Sequence, residues 1–218
     1  MENEVVTREV WLNSRADLLE KEKEHTRARE ALAKARQQLP RVKLEKEYVF
    51  AGADGTLTLS DLFMDRSQLA VYHLMFGPGW DVPCPGCTQW ANALNGTTDI
   101  FKKADARLVA VSRAPYEEIT EQRDRLGWQF TWLSSYGSDF NLDLYASSED
   151  LSDLSVKYIG GEGGEMVDFD RGENHGVSVF FKSTSGEIFH TYSAYNRGIE
   201  ELNGALGYFD LLPKGRAW

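Results

Sequence analysis

The sequence predicts an α/β fold in which helices flank a central mixed sheet, with a long helix at the N-terminus. Three observations predict it. Apolar runs of strand length alternate with helix-like segments through the middle of the chain. An alternating pattern typical of a hairpin follows, and then a last helix-like segment. The stretch before Pro40 has a charged helical pattern of its own.

The N-terminal segment predicts one continuous helix. Thr7–Leu39 contains no glycine and no proline, and oppositely charged side chains recur there at helical spacings. Pro40 ends the pattern. We therefore expect a helical extension over residues 1–41 and a globular domain over residues 42–218. The extension has only a thin apolar stripe, so it either lies along the domain or serves as an arm for homodimerisation.

Composition narrows the classes of function. The 218 residues are 42% hydrophobic and 27% charged, which is typical of a globular protein. The net charge of −10 predicts repulsion from a phosphate backbone, so we expect no nucleic-acid partner. No apolar run is long enough to cross a membrane, and the polar start lacks a secretory signal. These features predict a cytoplasmic protein, in a compartment where structural disulfides are rare.

The order of the remaining elements predicts the topology. In chain order we expect a hairpin (Tyr48–Phe50 and Thr56–Leu59), a strand (Gln68–Phe76), a helix (Thr88–Ala104), a strand (Arg107–Ser112), a helix (Ala114–Gly127), a strand (Thr131–Ser135), a hairpin around Thr184–Gly186 and a helix (Gly198–Leu212). An irregular excursion over residues 138–176, with one short helix near Ser148–Leu154, interrupts this order. A strand, a helix and a parallel strand, joined later by an antiparallel hairpin and a last helix, is the thioredoxin architecture.

Both cysteines of the chain lie in one predicted turn between a strand and a helix. Cys84 and Cys87 are separated by a proline and a glycine. At a helix start, unpaired backbone N–H groups and the helix dipole favour the thiolate form of Cys84. Cysteines in such places have pKa values of roughly 3.5–7.5, against about 8.5 for a free thiol. The spacing therefore predicts a redox pair in which Cys84 attacks and Cys87 resolves the mixed disulfide.

Other uses of the cysteine pair stay open. A structural zinc site needs about four ligands, but the chain has no third cysteine and its four histidines are scattered. The two cysteines could also be an inert buried pair. Two thiolates and one imidazole suit copper, so Cys84, Cys87 and His175 are a candidate ligand set for copper or zinc.

The motifs resemble those of a known family. The segments FGPGWDVPCPGC, LVAVSRAP, SVFF and HTYSAY occur here in order, and the chain between Val10 and Arg216 resembles a thioredoxin-like family catalogued as domain of unknown function 899. Its relatives are thioredoxins and peroxiredoxins. The resemblance implies a thiol–disulfide oxidoreductase that uses Cys84 and Cys87, takes a thiol or disulfide substrate and is regenerated by a cellular reductant, with no required cofactor.

Two positions depart from the patterns of these relatives. Thioredoxins carry a cis-proline just before the strand that faces the cysteine turn, where this chain has His175 and Gly176. Peroxiredoxins carry a threonine three residues before the reactive cysteine, where this chain has Asp81. The first departure predicts a docking groove unlike that of thioredoxin and keeps the metal alternative open.

Three further side chains are candidates for a supporting role. Trp80 either forms a wall of the site or fills the core. Arg113 follows a predicted buried strand, where it either stabilises a thiolate or binds an anionic substrate, or else pairs with Glu117 at the surface. His175 is a supporting residue as well as the third candidate ligand. His73 lies inside an apolar strand, so we expect it to be a core histidine.

Overall fold

A computed structural model describes residues 4–148, 155–157, 166–168 and 172–216 of the chain. By its contacts the chain divides into two compact units, Met1–Pro40 and Arg41–Trp218. The predicted short helix near Ser148–Leu154 lies outside the described residues except for Ser148 itself.

The first unit is built around one helix, α1 (Arg8–Gln37), which confirms the predicted N-terminal helix. Its 30 residues make it about 45 Å long. Thr7 caps it, because its hydroxyl accepts a hydrogen bond from the backbone N–H of Val10 at 3.3 Å. No residue of the helix is buried.

The second unit contains a mixed sheet of eight strands and a separate pair of strands within the described residues. The strands are β1 (Val42–Lys43), β2 (Val49–Gly52), β3 (Gly55–Thr58), β4 (Gln68–His73), β5 (Ala106–Ser112), β6 (Trp132–Ser134), β7 (Ser155–Lys157), β8 (Met166–Asp168), β9 (Gly176–Lys182) and β10 (Ile188–Tyr195). The order in the large sheet is β1-β10-β9-β4-β5-β6-β2-β3. Strands β4, β5 and β6 are parallel, and β9 runs antiparallel to β4. The central order β10-β9-β4-β5 is that of the thioredoxin fold.

Helices flank the sheet. They are α2 (Pro85–Asn92), α3 (Thr98–Lys103), α4 (Tyr116–Leu126), α5 (Phe140–Asp143) and α6 (Gly204–Phe209), with short 3₁₀ helices at Asp61–Phe63 and Asn196–Leu202. Helix α4 confirms the prediction, since Gly127 ends it in a left-handed conformation with φ 68°. Among the helices of the described chain, none combines the length and apolar character needed to cross a bilayer.

Two predicted helices differ in the structure. The helix expected at Thr88–Ala104 is divided into α2 and α3, because the chain turns at Gly96 with φ 85°, which a glycine tolerates. The closing helix expected at Gly198–Leu212 begins as a 3₁₀ helix and restarts as α6. Asn203 caps α6 by accepting a hydrogen bond from the Ala205 N–H at 3.0 Å. Strands β1, β7 and β8 and helix α5 were not predicted.

The sheet buries an apolar cluster on each face. Along β4, Tyr72 belongs to one cluster, while Leu69 and Val71 belong to the other, as strand alternation requires. Cys87 is buried in the cluster of Tyr72, and Cys84 packs against it. The cysteine turn therefore lies on the Tyr72 face of the sheet, just beyond the carboxyl end of β4.

Candidate functional site

The cysteine turn is held by backbone hydrogen bonds at both ends. The Cys84 N–H donates to the Met75 carbonyl at 3.0 Å, which ties the turn to the chain leaving β4. Pro85 occupies the first turn of α2, where a missing N–H costs nothing. Thr88 donates to the Cys84 carbonyl through its backbone N–H at 2.9 Å and its hydroxyl at 3.0 Å. Cys84 is therefore the N-cap of α2, and Cys87 lies one turn inside.

The two sulfurs differ in exposure and in proton affinity. Both cysteines are free thiols; Cys84 is partly exposed, whereas Cys87 is only 3% exposed. Contact with the sulfur of Cys84 is the largest cause that raises the pKa of Cys87 well above its ordinary value, and burial is the next. The inner thiol therefore holds its proton more tightly than an ordinary cysteine does.

A buried phenol lies beside the pair. Tyr72 is 2% exposed, and its hydroxyl has no hydrogen bond of good geometry. Burial raises the pKa of Tyr72 well above 10, and the charges of Cys87 and then Cys84 add to this effect. The same hydroxyl acts on Cys87 in the opposite direction, lowering its pKa as a donor to the thiolate. Tyr72 is thus the polar group of β4 that faces the inner sulfur.

Trp80 lies in the loop between β4 and the cysteine turn. It is 8% exposed and belongs to the apolar cluster that contains Cys87 and against which Cys84 packs. A side chain at Gly77 would meet the indole nitrogen of Trp80 at 3.1 Å, so the loop folds closely around this ring. Trp80 is therefore a core residue of the same apolar cluster that Cys87 belongs to and Cys84 contacts. This position is consistent with both expected roles, a wall of the site and core packing.

Arg113 pairs with a buried glutamate that sequence reasoning did not single out. Its Nε donates to Oε1 of Glu173 at 2.7 Å, and Glu173 is the partner rather than Glu117. The hydroxyl of Ser147 donates to the other oxygen of Glu173 at 2.7 Å. Burial raises the pKa of Glu173, and Arg113 opposes this shift. Glu173 therefore neutralises much of the positive charge of Arg113.

His175 lies with Trp90 beside the turn. The rings of Tyr72 and Trp90 stack at 6.3 Å between centroids, and those of Trp90 and His175 lie 6.4 Å apart. Burial lowers the pKa of His175, and Glu200 opposes this shift. The rings of Tyr72, Trp90 and His175 thus form a row that starts beside Cys87 and ends at His175, in the lining of a surface groove.

A groove begins at these rings. It encloses about 560 Å³ and is lined by Gly86 of the cysteine turn, by Trp90 and His175, and by Leu206 and Phe209 of α6. Its size is that of a pocket for a small ligand. Charged side chains of its rim are paired with each other: Arg216 lies 2.8 Å from Glu200. The groove has a mainly aromatic and aliphatic floor beside the cysteine turn.

Packing explains why Gly176 occupies the start of β9. A Cβ atom there would collide with the ring of Tyr195 and would lie 2.8 Å from the carbonyl oxygen of Ala194. The preceding carbonyl, of His175, accepts a hydrogen bond from the Asn196 N–H at 3.1 Å. The backbone that would carry a cis-proline in thioredoxins is therefore fixed here by close contact with the end of β10.

The metal alternative gains no geometric support. Within the described residues, no three histidine, cysteine, aspartate or glutamate side chains form a group that could hold a metal ion. Cys84, Cys87 and His175, the expected ligand set for copper or zinc, are therefore not found as such a group. That ligand set stays a prediction.

Sequence reasoning found the cysteines but missed Tyr72, Glu173 and the groove. Tyr72 carried a signal, because it is a polar aromatic residue in a strand otherwise suited to complete burial. Glu173 lies in the acidic excursion, where nothing local separates a buried carboxylate from a solvated one. The groove depends on α6 and the 3₁₀ helix before it, which were predicted as one continuous helix.

Comparison with known proteins finds similarity at two levels. No curated protein matches the chain. Among solved structures, a bacterioferritin comigratory protein from Xanthomonas campestris is 17% identical, with a TM-score of 0.44 and coverage of 73% of this chain and 88% of that one. A putative thiol:disulfide interchange protein, DsbE, from Chlorobium tepidum is 15% identical, with a TM-score of 0.45 and coverage of 78% and 95%.

The family comparison covers much more of the sequence. Residues 1–218, the whole chain, match one family, and the cysteine turn, the loop of Trp80 and the β9–β10 hairpin all lie within that match. The protein is therefore a member of the family described as "Bacterial protein of unknown function (DUF899)".

Proposed function

We propose that this protein is a thiol–disulfide oxidoreductase in which Cys84 attacks a disulfide substrate and Cys87 resolves the intermediate. The observation that carries the proposal is the asymmetry of the two thiols. Cys84 is partly exposed at the start of α2, while Cys87 is buried against it with its pKa raised by that contact. An accessible nucleophile beside a protected resolving thiol is the arrangement that exchange chemistry needs.

The reaction consists of two exchanges. The Cys84 thiolate attacks one sulfur of the substrate, forming a mixed disulfide and releasing the other sulfur as a thiolate, which takes a proton. Cys87 then loses its proton and attacks the Cys84 sulfur, releasing the second substrate thiol. The substrate disulfide has gained two electrons and two protons, and Cys84 and Cys87 have become a disulfide. A cellular thiol or dithiol reductant restores the pair.

Tyr72 supports the second exchange in this proposal. Cys87 must become a thiolate while it is buried, and burial disfavours that charge. The Tyr72 hydroxyl faces this sulfur and has no other partner of good geometry. It can therefore donate a hydrogen bond to the thiolate as the proton leaves.

The groove is the proposed docking surface for the substrate. Gly86, which follows the attacking cysteine by two residues, belongs to its lining, so a molecule in the groove lies beside the turn. Its aromatic and aliphatic floor suits an apolar portion of a small disulfide or of a peptide.

The proposal is tested with single-turnover reduction of bis(2-hydroxyethyl) disulfide by the pre-reduced protein. Because the chain has two cysteines, each serine variant leaves one thiol. We expect Cys84→Ser to abolish mercaptoethanol release. We expect Cys87→Ser to release one equivalent and to keep the other as a mixed disulfide on Cys84, seen by mass spectrometry.

Ser60→Ala, at an exposed position outside the cysteine turn, is the matched control for loss of a small polar side chain. It should retain the wild-type rate. Wild-type turnover by Cys84→Ser, or no mixed disulfide in Cys87→Ser, contradicts the proposed roles.

A further inference from the structure

A second cavity lies at the opposite edge of the sheet from the cysteine turn. It encloses about 340 Å³ and is lined in part by Arg107 at the start of β5 and Thr131 just before β6. Cys84 follows the carboxyl end of β4, which is parallel to β5. The amino ends of these parallel strands therefore carry a cavity separate from the redox site.

Arg107 is the most deeply hydrogen-bonded cation among the side chains that line this cavity, with two neutral partners. Its guanidinium donates to the Leu62 carbonyl at 2.9 Å and to the Thr131 hydroxyl at 3.2 Å. Both partners are neutral, and no carboxylate in the described part of the chain forms an ion pair with it. Burial lowers the pKa of Arg107, because a guanidinium is poorly solvated there. A half-buried cation without a counter-ion is unfavourable unless an anion joins it.

The surrounding charges favour an anion. Arg66 and Lys102 also line the cavity, giving three cations against one lining carboxylate, Asp65. Asp65 lies 3.3 Å from Arg66, and Asp99, outside the lining, holds Lys102 at 2.7 Å. Both carboxylates are largely exposed, and exposed pairs of this kind contribute little. The cations are therefore available to a ligand, within a chain whose net charge is −10.

We propose that this cavity binds a phosphate group, either as free phosphate or as the phosphate of a small organic molecule. A guanidinium presents a planar fork of N–H groups that matches phosphate oxygens, and Lys102 adds a point charge. Met64 and Leu108 supply apolar lining beside the cations, where the carbon part of a phosphate monoester would lie.

The test is calorimetric titration of the full chain with inorganic phosphate and with glycerol 3-phosphate, at constant ionic strength set by chloride. We expect saturable binding that Arg107→Gln weakens about ten-fold, the effect of losing one charged hydrogen-bonding partner. Arg123→Gln, which removes a surface charge on α4, is the control and should bind as the wild type does. Tighter binding of glycerol 3-phosphate identifies a phosphate monoester, and equal binding identifies free phosphate.

A second pair of variants keeps the test decisive if Arg107→Gln fails to fold. Lys102→Glu reverses a charge in the cavity lining, and Lys103→Glu makes the same change at the adjacent exposed residue. We expect only Lys102→Glu to weaken phosphate binding strongly. No saturable phosphate binding by the wild type, or equal losses in Lys102→Glu and Lys103→Glu, overturns the proposal.

Discussion

Two adjacent residues of β4, Tyr72 and His73, bury polar groups on opposite faces of the sheet. The hydroxyl of Tyr72 lacks a hydrogen bond of good geometry, and Nδ1 of His73 has no partner. The other ring nitrogen of His73 lies 2.8 Å from the hydroxyl of Ser178. An unpaired buried polar group costs about 1–3 kcal/mol, so each of these atoms reduces stability. Tyr72 has a compensating neighbour, the Cys87 sulfur, whereas His73 has only packing around its free nitrogen.

This difference predicts a specific phenotype for Tyr72→Phe. The variant loses no hydrogen bond of the resting protein, so its free energy of unfolding should equal or exceed that of the wild type. It loses a donor to the Cys87 thiolate, so resolution of the mixed disulfide should slow about ten-fold. The measurement is the rate of release of the second mercaptoethanol in rapid-quench experiments, with attack by Cys84 unchanged.

Tyr48→Phe provides the contrast for this experiment. The Tyr48 hydroxyl donates to Asp143 at 2.9 Å in the other apolar cluster, so its loss should reduce stability and leave resolution unchanged. If Tyr72→Phe resolves the mixed disulfide at the wild-type rate, the hydroxyl has no part in the second exchange.

His73 predicts an acid-dependent loss of stability. Burial lowers its pKa from 6.5 to about 3, so the folded protein excludes a proton that the unfolded chain binds. A base whose pKa is lowered on folding stabilises the protein above the unfolded pKa and loses that contribution as the pH falls below it. Between pH 8 and pH 5 the wild type should therefore lose about 2 kcal/mol through His73 alone.

The measurement is urea unfolding of the wild type and of His73→Gln at both pH values. Glutamine retains a group that can bond to Ser178 but does not titrate, so the difference in unfolding free energy between the two proteins should shrink by about 2 kcal/mol at pH 5. A difference that is independent of pH would show that His73 binds its proton equally well in the folded and the unfolded protein.

At the scale of elements, the sequence predicted the helices and strands whose signals lie within the segment itself. Strand β4 and helix α4 were predicted because apolar runs and a terminal glycine lie within the segments themselves. The single helix expected after the cysteines was wrong, because the left-handed turn at Gly96 outweighs a helical pattern on both sides. The two-residue strand β1 exists only through pairing with β10, which its own sequence does not encode.

The candidate site shows the same dependence on locality. Cys84 and Cys87 were found because their spacing and the strand before them are adjacent in sequence. The buried pair Arg113–Glu173 joins residues 60 positions apart, and Ser147 reaches Glu173 from a third segment. Tyr72 meets Cys87 only after α2 folds back over the sheet. Contacts between residues so distant in sequence depend on how the chain folds, so local sequence patterns do not predict them.

At the scale of the whole molecule, helix α1 carries apolar residues at regular positions. Trp11, Leu18 and Leu32 are separated by seven and fourteen residues, and each is about half exposed. Leu39, seven residues after Leu32, lies just beyond the end of α1 and is also about half exposed. A seven-residue repeat keeps side chains on one side of a helix and is typical of helices that pair with one another. Ala28 and Ala35 are also seven residues apart. Each follows a position of the first repeat, His25 or Leu32, by three residues. The repeat favours the dimerisation arm among the two roles expected for the helix.

We therefore expect the full chain to sediment as a dimer, at about twice the monomer mass of 24.7 kDa. Leu18→Glu with Leu32→Glu places like charges within the repeat, where pairing would bury them without partners, so this double variant should sediment as a monomer. Ala16→Glu with Gln37→Glu adds the same charge on the opposite side of α1 and should remain dimeric. Analytical ultracentrifugation measures all three proteins. A monomeric wild type, or a dimer that survives both double variants, excludes pairing through this stripe.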